Sequence, residues 1–536
     1  MNAVLDLARY ILWFMPAAAI LPAGKLLMQY FQLSSYQFGG FFRTLYRQRA
    51  RVFWPGLALT LLSVLFTFLA SLAANGAWWL EALLSLVAAG LILLSGMAVG
   101  FFSYQEKKAK KKLVTTPRVR RLALAWLVVA LIAAGLLRRL FVMGISALVV
   151  PVFLPLWLLI AALVMWPVEK GIQLIYQADA KRILEGYKAT GLVAIGITGS
   201  YGKTTVKNVL AGILSQQYPT LASPVSANTP VALSRCIREE MGPQHRYFIA
   251  EMGARHPRDI RVLSWFIKPS LGILTAIGPQ HLETLGNEER VRETKYALIA
   301  GLPPKGFAVF NNDNSHVSTC YRRAEVAKAL VGEAGDDLWA EDVTLSPEGS
   351  TFTLCGKDGL RQPCRTQLPG EHNIRNILLA SAAALHLGVS PDHVAQGIAG
   401  VKAVAFRLQA SRHPKGYTVI NNGFNTNPAA SLKALEVLAS YPGRHVVVTP
   451  GFIELGRQEA AANRQLGRDM AAVAQEVVLV GLRRTLPIRE GLLEAGFEEN
   501  MIHAFPSLSE ANRHVNQACG EGDVVLYEND LPDQYN

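Results

Sequence analysis

Long uncharged apolar runs dominate the first third of the chain, and shorter, amphipathic patterns replace them afterwards. A helix needs about 20 apolar residues to cross a bilayer, and several of the runs reach that length. The runs cover residues 52–76, 82–104 and 140–168, with a shorter one at 122–137 and a proline-interrupted one at 10–31. The pattern predicts a transmembrane domain of several helical spans over residues 1–170.

From residue 171 onward the apolar runs shorten to the length of β-strands. A mixed-charge helical pattern over 171–190 predicts a linking helix. Apolar runs then alternate with helical patterns, which is typical of a parallel sheet, and they lie at 193–197, 247–250, 271–277 and 307–310. Residues 336–368 predict short antiparallel strands instead, and a repeated strand–helix pattern returns from about residue 416.

The strand predicted at 193–197 runs into a glycine-punctuated loop that opens a helix. Glycines at 199 and 202 let the backbone turn several N–H groups toward one anion, and the helix N-terminus adds the positive end of its dipole. A lysine follows to meet phosphate, and a threonine hydroxyl suits Mg²⁺. The pattern predicts a nucleoside triphosphate site formed by Gly199, Ser200, Gly202, Lys203, Thr204 and Thr205.

Two further polar residues follow predicted strands in the same part of the chain. Glu251 ends the strand predicted at 247–250, and His281 comes soon after the one at 271–277. Ligands gather at the carboxyl ends of parallel strands, and carboxylate oxygens are preferred by Mg²⁺. The sequence therefore predicts a metal site with Thr204, Glu251 and His281 as ligands.

These patterns together predict the fold class and the division of the chain. We expect an α-helical transmembrane domain followed by α/β structure, with a phosphate-loop central domain and a Rossmann-like C-terminal domain. The predicted boundaries are 1–170 for the membrane domain, 171–190 for the linking helix, 191–408 for the central domain and 409–536 for the C-terminal domain.

Positive and negative charges are distributed differently in the two halves of the chain. Residues 1–170 contain 17 Lys and Arg against 4 Asp and Glu, so they account for the whole net charge of +13. Basic residues between spans mark cytoplasmic loops, which predicts the inner membrane with the soluble half in the cytoplasm. The balanced soluble half argues against nucleic acid as a partner. The five cysteines form no C-x-x-C pair, which disfavours disulfides and a cysteine zinc site.

Several stretches of the soluble half together resemble the Mur ligase family. Within the family they are most similar to the branch that adds D-alanyl-D-alanine to a UDP-muramoyl-tripeptide. The stretches are T-G-S-Y-G-K-T-T from 198, E-M-G-A from 251, H-L-E-T-L-G from 281, G-E-H-N-x-x-N from 370, F-R-L-Q from 406 and N-N-G-F-N-T-N-P from 421. The resemblance implies a central ATP-binding domain and a C-terminal domain that closes over ATP.

The resemblance also implies roles for single residues. Lys295 matches a lysine that is carbamylated beside two Mg²⁺ ions, although on the bare sequence it is a solvated helix lysine. Asn376 matches a residue at the adenine, Arg407 one at the γ-phosphate, and Asn228 one near the substrate phosphate. Asn422 belongs to an asparagine pair that replaces two aspartates, one of them expected near the ribose.

The sequence also departs from the family in two places that bear on substrates. Membrane helices stand where the family has a soluble domain that grips the UDP-sugar. Near the C-terminus, acidic residues at 528 and 530 replace a lysine-containing stretch, which indicates either a different amine substrate or simply a solvated acidic tail.

The combined prediction is a membrane-bound, ATP- and Mg²⁺-dependent ligase that forms an amide through an acyl phosphate. Its expected partners are the membrane, a lipid-linked or soluble carboxylate precursor of the cell envelope, and an amino acid or dipeptide. The helices also leave room for a membrane or oligomeric partner. The alternatives are a polymerising ligase similar to the folylpolyglutamate and poly-γ-glutamate synthases, and an ATP-binding membrane protein without ligase activity. An ATP-driven transporter is disfavoured because no L-S-G-G-Q signature occurs.

Overall fold

The computed structural model divides the chain into two compact units, one of residues 1–173 with the last five, the other Leu174–Leu531. Apart from a few isolated positions before residue 37, it describes residues 20–34, 38–47, 54–73, 77–104, 113–140, 154–312, 315–346, 349–402, 408–423, 427–453 and 455–529.

The secondary-structure elements among the first unit's described residues are all helices. Its helices are Ile20–Leu33, Phe38–Arg47, Trp54–Ala73, Trp78–Tyr104, Pro117–Leu140 and the first part of Leu154–Ala189. Phe31, Phe41, Trp126 and Leu158 lie in its buried apolar core. Glu169 accepts a hydrogen bond from Arg121 at 2.7 Å near the end of this unit.

One described helix is long and apolar enough to cross a membrane by length and composition, and it covers Leu156–Ala189. The shorter apolar helical segments Leu61–Ala73 and Trp78–Leu91 accompany it. The several spans predicted for residues 1–170 therefore stay a prediction. Two features behind that prediction, the basic loop at 107–112 and positions 141–153 of the 140–168 run, lie outside the described residues.

The predicted linking helix is the second half of a longer element. Residues 171–189 continue the helix Leu154–Ala189 without a break, although Pro167 lies inside it. A proline costs a helix one hydrogen bond and forces a local adjustment, which long apolar helices tolerate. Ala180 and Leu184 on this stretch are buried in the core of the second unit.

The second unit begins with a nine-stranded sheet in the order β2-β3-β1-β4-β5-β6-β7-β8-β9. The strands are β1 Val193–Thr198, β2 Thr220–Ala222, β3 Tyr247–Glu251, β4 Leu271–Leu274, β5 Phe307–Asn311, β6 Ala327–Gly332, β7 Leu338–Ser346, β8 Gly349–Gly356 and β9 Arg361–Thr366. Pairing is parallel from β2 to β7 and antiparallel from β7 to β9. The antiparallel strands predicted at 336–368 are confirmed.

Helices cover both faces of the parallel part, as buried parallel strands require. They are Lys203–Leu214, Pro230–Glu240, Asp259–Ile267, Leu282–Leu285, Glu288–Ala300, Ser315–Arg323, Glu371–His386 and Pro391–Gly400. Val206, Leu210 and Ile377 pack in one core, and Leu263, Leu298 and Phe310 in the other. The two cores hold the carboxyl ends of β1, β3 and β4 side by side.

A six-stranded sheet follows, in the order β10-β11-β15-β12-β13-β14. Its strands are β10 Gln409–Arg412, β11 Thr418–Asn422, β12 His445–Thr449, β13 Glu476–Val480, β14 Ile502–Phe505 and β15 Val524–Glu528. All neighbours pair in parallel except β10 with β11. The helices Pro428–Ala439, Glu459–Ala471, Leu486–Glu494 and Leu508–Ala518 connect them. This is the Rossmann-like arrangement that the strand–helix repeats predict.

Candidate active site

The phosphate loop is shaped by two glycines that no other residue could replace without strain. Gly199 follows β1 with φ +155°, and Gly202 precedes the helix Lys203–Leu214 with φ +80°. A Cβ on Gly199 would lie 1.8 Å from the Thr275 hydroxyl, and one on Gly202 would lie 2.3 Å from the Asn376 amide oxygen. The loop is thus closely walled, and its backbone turns at both positions that the sequence singles out.

The middle of the loop is tied to the segment that follows β4. The Ser200 N–H donates to the carbonyl of Ala276 at 2.6 Å. The Ser200 hydroxyl accepts from the Gly278 N–H at 3.0 Å, and the Thr275 hydroxyl donates to the Tyr201 carbonyl at 2.5 Å. The loop is therefore held in shape by a neighbouring strand end rather than by its own residues alone.

Two lysines converge on one carbonyl of this loop. Lys203 donates from Nζ to the Gly199 carbonyl at 2.6 Å and to that of Ser200 at 3.2 Å. Lys295 donates to the same Gly199 carbonyl at 2.9 Å, from a side chain that is almost fully buried. Burial, and secondarily the charge of Lys203, holds the pKa of Lys295 well below the usual lysine value. Lys295 is therefore a buried amine with a strong tendency to lose its proton.

A carboxylate and a hydroxyl meet beside the lysines, at the ends of β3 and β1. β3 pairs with β1 so that Glu251 stands opposite Ile197. The Thr204 hydroxyl donates to Glu251 Oε2 at 2.9 Å, and Lys207 Nζ lies 3.4 Å from the same oxygen. Lys207 also donates to the Ser223 carbonyl at 2.7 Å. Because all four groups are buried, the negative charge of Glu251 is balanced within the protein.

His281 lies on the same side, in the segment after β4 that also carries Gly278. It has φ +52° and precedes the short helix Leu282–Leu285. Its carbonyl accepts the N–H groups of Thr284 and Leu285. Asn228 is placed by a different contact, since a Cβ on Gly253 would lie 2.7 Å from its amide carbon. Gly253 directly follows the strand end that carries Glu251, so Asn228 borders that strand end.

The structure describes three of the four remaining predicted residues. Asn376, on the helix Glu371–His386, has its amide beside Gly202. Thr205 lies in the first turn of the helix Lys203–Leu214. Asn422 ends β11 in the other sheet and donates to Glu528 Oε2 at 2.8 Å, so its amide is engaged by the neighbouring strand β15. Arg407 lies outside the described residues.

The arrangement fits Mg²⁺ and a polyphosphate by the chemistry of its donors. The Thr204 hydroxyl and the Glu251 carboxylate offer oxygen ligands side by side, which Mg²⁺ prefers, and His281 is the less typical member of the predicted set. The helix N-terminus after Gly202 supplies backbone N–H groups and a positive dipole for an anion. A cation and a polyphosphate could therefore share this strand end.

Sequence reasoning missed the residues that support these groups. Lys207 is buried on the apolar side of its helix and neutralises Glu251. Its one sequence signal is its position four residues after Lys203, on a helix whose other inward positions are apolar. Ser223 was not predicted as a site residue either, yet its hydroxyl accepts a hydrogen bond from the Glu251 N–H at 3.1 Å.

A phosphate loop between a strand and a helix, with an acid and two lysines at the adjoining strand ends, defines a nucleotide-dependent α/β enzyme. Comparison with known proteins narrows this class. Residues 197–384 match the Mur ligase middle domain, and residues 406–527 match the Mur ligase, glutamate ligase domain. The chain belongs to the Mur ligase family, whose members are ATP-dependent acid–amino-acid ligases.

Individual relatives point to one branch of the family. The chain is 26% identical over 340 residues to the UDP-N-acetylmuramoyl-tripeptide–D-alanyl-D-alanine ligase of Bacillus subtilis, covering 63% of this chain and 73% of the relative. It is 30% identical over 288 residues to the enzyme of that name from Escherichia coli, covering 53% and 63%. The crystal structure of MurF from Acinetobacter baumannii superposes with a TM-score of 0.61 at 26% identity, covering 67% of this chain and 77% of that one.

Proposed function

We propose that the protein is an ATP-dependent ligase that joins an amine to a carboxylate of a cell-envelope precursor. The observation that carries the proposal is the meeting of three groups at one strand end: the phosphate loop, the Thr204–Glu251 pair and the buried amine of Lys295. Membership of the Mur ligase family supports this chemistry. The matched part spans 73% of the Bacillus subtilis relative and 63% of the Escherichia coli one.

The proposed reaction needs positioning and charge stabilisation rather than a side-chain nucleophile. An oxygen of the substrate carboxylate attacks the γ-phosphorus of ATP, the bond to the β-phosphate oxygen breaks, and ADP leaves. The amine then attacks the acyl carbon, phosphate departs, and the amine gives up a proton. Lys203 and the loop N–H groups stabilise the negative charge that spreads over the transferred phosphoryl group. Arg407 is proposed to act on the same charge.

Mg²⁺ bound by Thr204 and Glu251, with His281 bordering a second ion, would supply positive charge at the phosphates. Lys295 is proposed to be carbamylated. Because burial lowers its pKa, the amine gives up its proton more readily than an exposed lysine does, and the neutral amine can attack CO₂. A nitrogen–carbon bond forms, the amine loses a proton, and the side chain becomes an anion. Lys203, whose amine shares the Gly199 carbonyl with Lys295, would then face a negative charge instead of a competing amine.

The relatives' names suggest which substrates to test first. Those enzymes are named for a UDP-N-acetylmuramoyl-tripeptide and for D-alanyl-D-alanine. We propose a related pair here, a peptide carboxylate on an envelope precursor and an amino acid or dipeptide. The amine side is expected to differ, since Glu528 lies buried against Asn422 at the end of β15. A carboxylate at this position favours an ammonium-bearing partner.

We further propose that the protein is held in the cytoplasmic membrane, with the ligase domains in the cytoplasm, and that its carboxylate substrate is lipid-linked. The helix Leu156–Ala189 has the length and composition of a span. The excess of basic residues within 1–170 supports a cytoplasmic orientation for the flanking loops. A substrate carried by a lipid would explain why a ligase needs more apolar helix than an anchor requires.

The experiment supplies ATP, Mg²⁺ and candidate amines to the purified full chain, together with either the lipid or the aqueous fraction of an envelope extract. ADP release and new amide products are followed together. Lys203→Ala serves as the matched inactive control because it removes the loop cation. Amide formation with the lipid fraction supports the proposal, and turnover with the aqueous fraction alone overturns the lipid-linked version. ADP release without any amide overturns the ligase assignment, and products of many lengths would identify a polymerising ligase instead.

A further inference from the structure

Three metal-ligating side chains meet in the C-terminal sheet, away from the groups described above. Glu476 is the first residue of β13, His503 lies on β14, and His514 lies on the helix Leu508–Ala518. One ligand atom from each lies within 4.8 Å of the others. We name these three residues the amino-edge cluster, because Glu476 begins its strand whereas the phosphate loop lies at strand carboxyl ends.

The two imidazoles of the cluster face the same carboxylate oxygen. His514 Nε2 lies 2.7 Å from Glu476 Oε1, and His503 Nε2 lies 3.7 Å from that oxygen. The two rings are 4.3 Å apart between centroids. Zinc binds imidazole nitrogen and carboxylate oxygen at about 2.0–2.2 Å in a tetrahedron, so its ligand atoms lie about 3.3 Å from one another. The separations in the cluster bracket that value.

The other oxygen of Glu476 is held by a separate group. Arg444 bonds Glu476 Oε2 through Nη2, and its Nη1 donates to the Ala518 carbonyl at 3.2 Å. Metal-binding carboxylates are commonly oriented by such outer contacts. The guanidinium thus fixes the carboxylate and leaves Oε1 directed toward the histidines.

The carboxylate of the cluster is buried, whereas its two histidines are partly exposed, as in a metal site that is accessible from solvent. The Glu476 side chain is only 3% exposed, whereas those of His503 and His514 are 33% and 24% exposed. A cation could therefore enter from the histidine side and reach a buried carboxylate. Neutral imidazole is the form of histidine that ligates metals.

We propose that Glu476, His503 and His514 bind one divalent transition-metal ion of the Zn²⁺ class, with a fourth position left for water. Two nitrogen ligands and one oxygen ligand favour Zn²⁺, Co²⁺ or Ni²⁺ over Mg²⁺ and Ca²⁺. The ion would join β13, the helix Leu508–Ala518 and β14, which is the last strand of its sheet. Its role is structural, as a clamp on an edge strand, and it is independent of the ligase reaction.

The test titrates Co²⁺ into the purified, untagged full chain and records the visible absorption that distinguishes four-coordinate from six-coordinate Co²⁺. The variant is His503→Gln with His514→Gln, which keeps both side chains polar. His256→Gln is the matched control because His256 is an exposed histidine of the other sheet's domain. Wild type and both variants retain the strand-end site, so any Co²⁺ bound there is common to all three.

We expect one equivalent of Co²⁺ with intense four-coordinate absorption in wild type and in the control. The double variant should lose that signal and bind the ion at least about tenfold more weakly. Zn²⁺ should displace Co²⁺ and raise the melting temperature of wild type but not of the double variant. Equal Co²⁺ spectra in all three proteins, or no four-coordinate absorption in wild type, would overturn the proposal and leave a hydrogen-bonded His–Glu–Arg cluster.

A second measurement on wild type keeps the test valid if the double variant folds poorly. Zn²⁺ should protect His503 and His514 from acylation of their imidazoles, read out by peptide mass spectrometry, while His256 continues to react. Acylation of the cluster histidines at the same rate with and without saturating Zn²⁺ would refute the site.

Discussion

Replacing Lys295 by methionine isolates the energetic cost of its buried amine. Methionine keeps the apolar stem of the side chain as far as the Cε position but lacks the amine, so it cannot be charged. In the folded protein the amine is almost fully buried and donates to the Gly199 carbonyl at 2.9 Å. Its pKa is far below 10.5 because burial, and then Lys203, disfavours the ammonium. In the unfolded chain the same lysine holds its proton up to about pH 10.5.

The sign and the size of the effect follow from this difference in proton binding. Between the lowered pKa of Lys295 and about 10.5, the unfolded chain binds one more proton than the folded chain, so the free energy of unfolding rises with pH. The limiting slope is about 1.4 kcal/mol per pH unit. Wild type should therefore gain up to about 3 kcal/mol relative to Lys295→Met between about pH 7.5 and about pH 9.5.

The assay is urea unfolding of the full chain in CO₂-free buffer at both pH values, with Lys305→Met as a control at an exposed lysine. The free energy of unfolding should rise more steeply with pH in wild type than in Lys295→Met, and equally steeply in wild type and Lys305→Met. Added bicarbonate should stabilise wild type at the lower pH and leave Lys295→Met unchanged, because carbamylation consumes the folded amine. Identical pH slopes for wild type and Lys295→Met would refute the buried-amine reasoning.

Three further changes test the rest of the site. Glu251→Gln should lower turnover at least about 100-fold, and because it removes the carboxylate that balances the buried ammonium of Lys207 it should cost about 3–5 kcal/mol of unfolding free energy; adding Lys207→Met should recover stability but not activity. Gly202→Ala should raise the KM for ATP by about tenfold, since its φ is positive and the new Cβ would meet Asn376; an unchanged KM would contradict this. Burial lowers the pKa of His372 to about 4, so stability should fall by up to about 3 kcal/mol as the pH drops from 6.5 to 4, and His372→Gln should flatten that loss in acid unfolding curves.

Local patterns were enough to predict the phosphate loop and its neighbours. The apolar run before Gly199 and the glycine spacing dictate strand, turn and helix, and these are observed. Glu251 follows because a parallel strand next to β1 must end at the same sheet edge. Such features depend on period and on residue type within about a dozen positions, which is what a sequence displays directly.

Contacts between residues far apart in the sequence could not be predicted in this way. Lys295 is a solvated helix residue by its neighbours in sequence, and only the packing of its helix against β1 buries it beneath Gly199. Lys207 pairs with Glu251 44 positions away, and neither alone signals the other. The amino-edge cluster likewise joins Glu476 to histidines on two later elements. The boundary predicted between residues 170 and 171 falls inside one continuous helix, Leu154–Ala189.

The most direct test of the ligase account follows one oxygen atom. The carboxylate precursor is labelled with ¹⁸O and incubated with the full chain, ATP, Mg²⁺ and the amine, and the inorganic phosphate is analysed by mass spectrometry. Transfer through an acyl phosphate predicts one ¹⁸O in each phosphate released, in step with amide formed. Unlabelled phosphate would contradict the account, and so would release of phosphate in a reaction from which the amine is omitted.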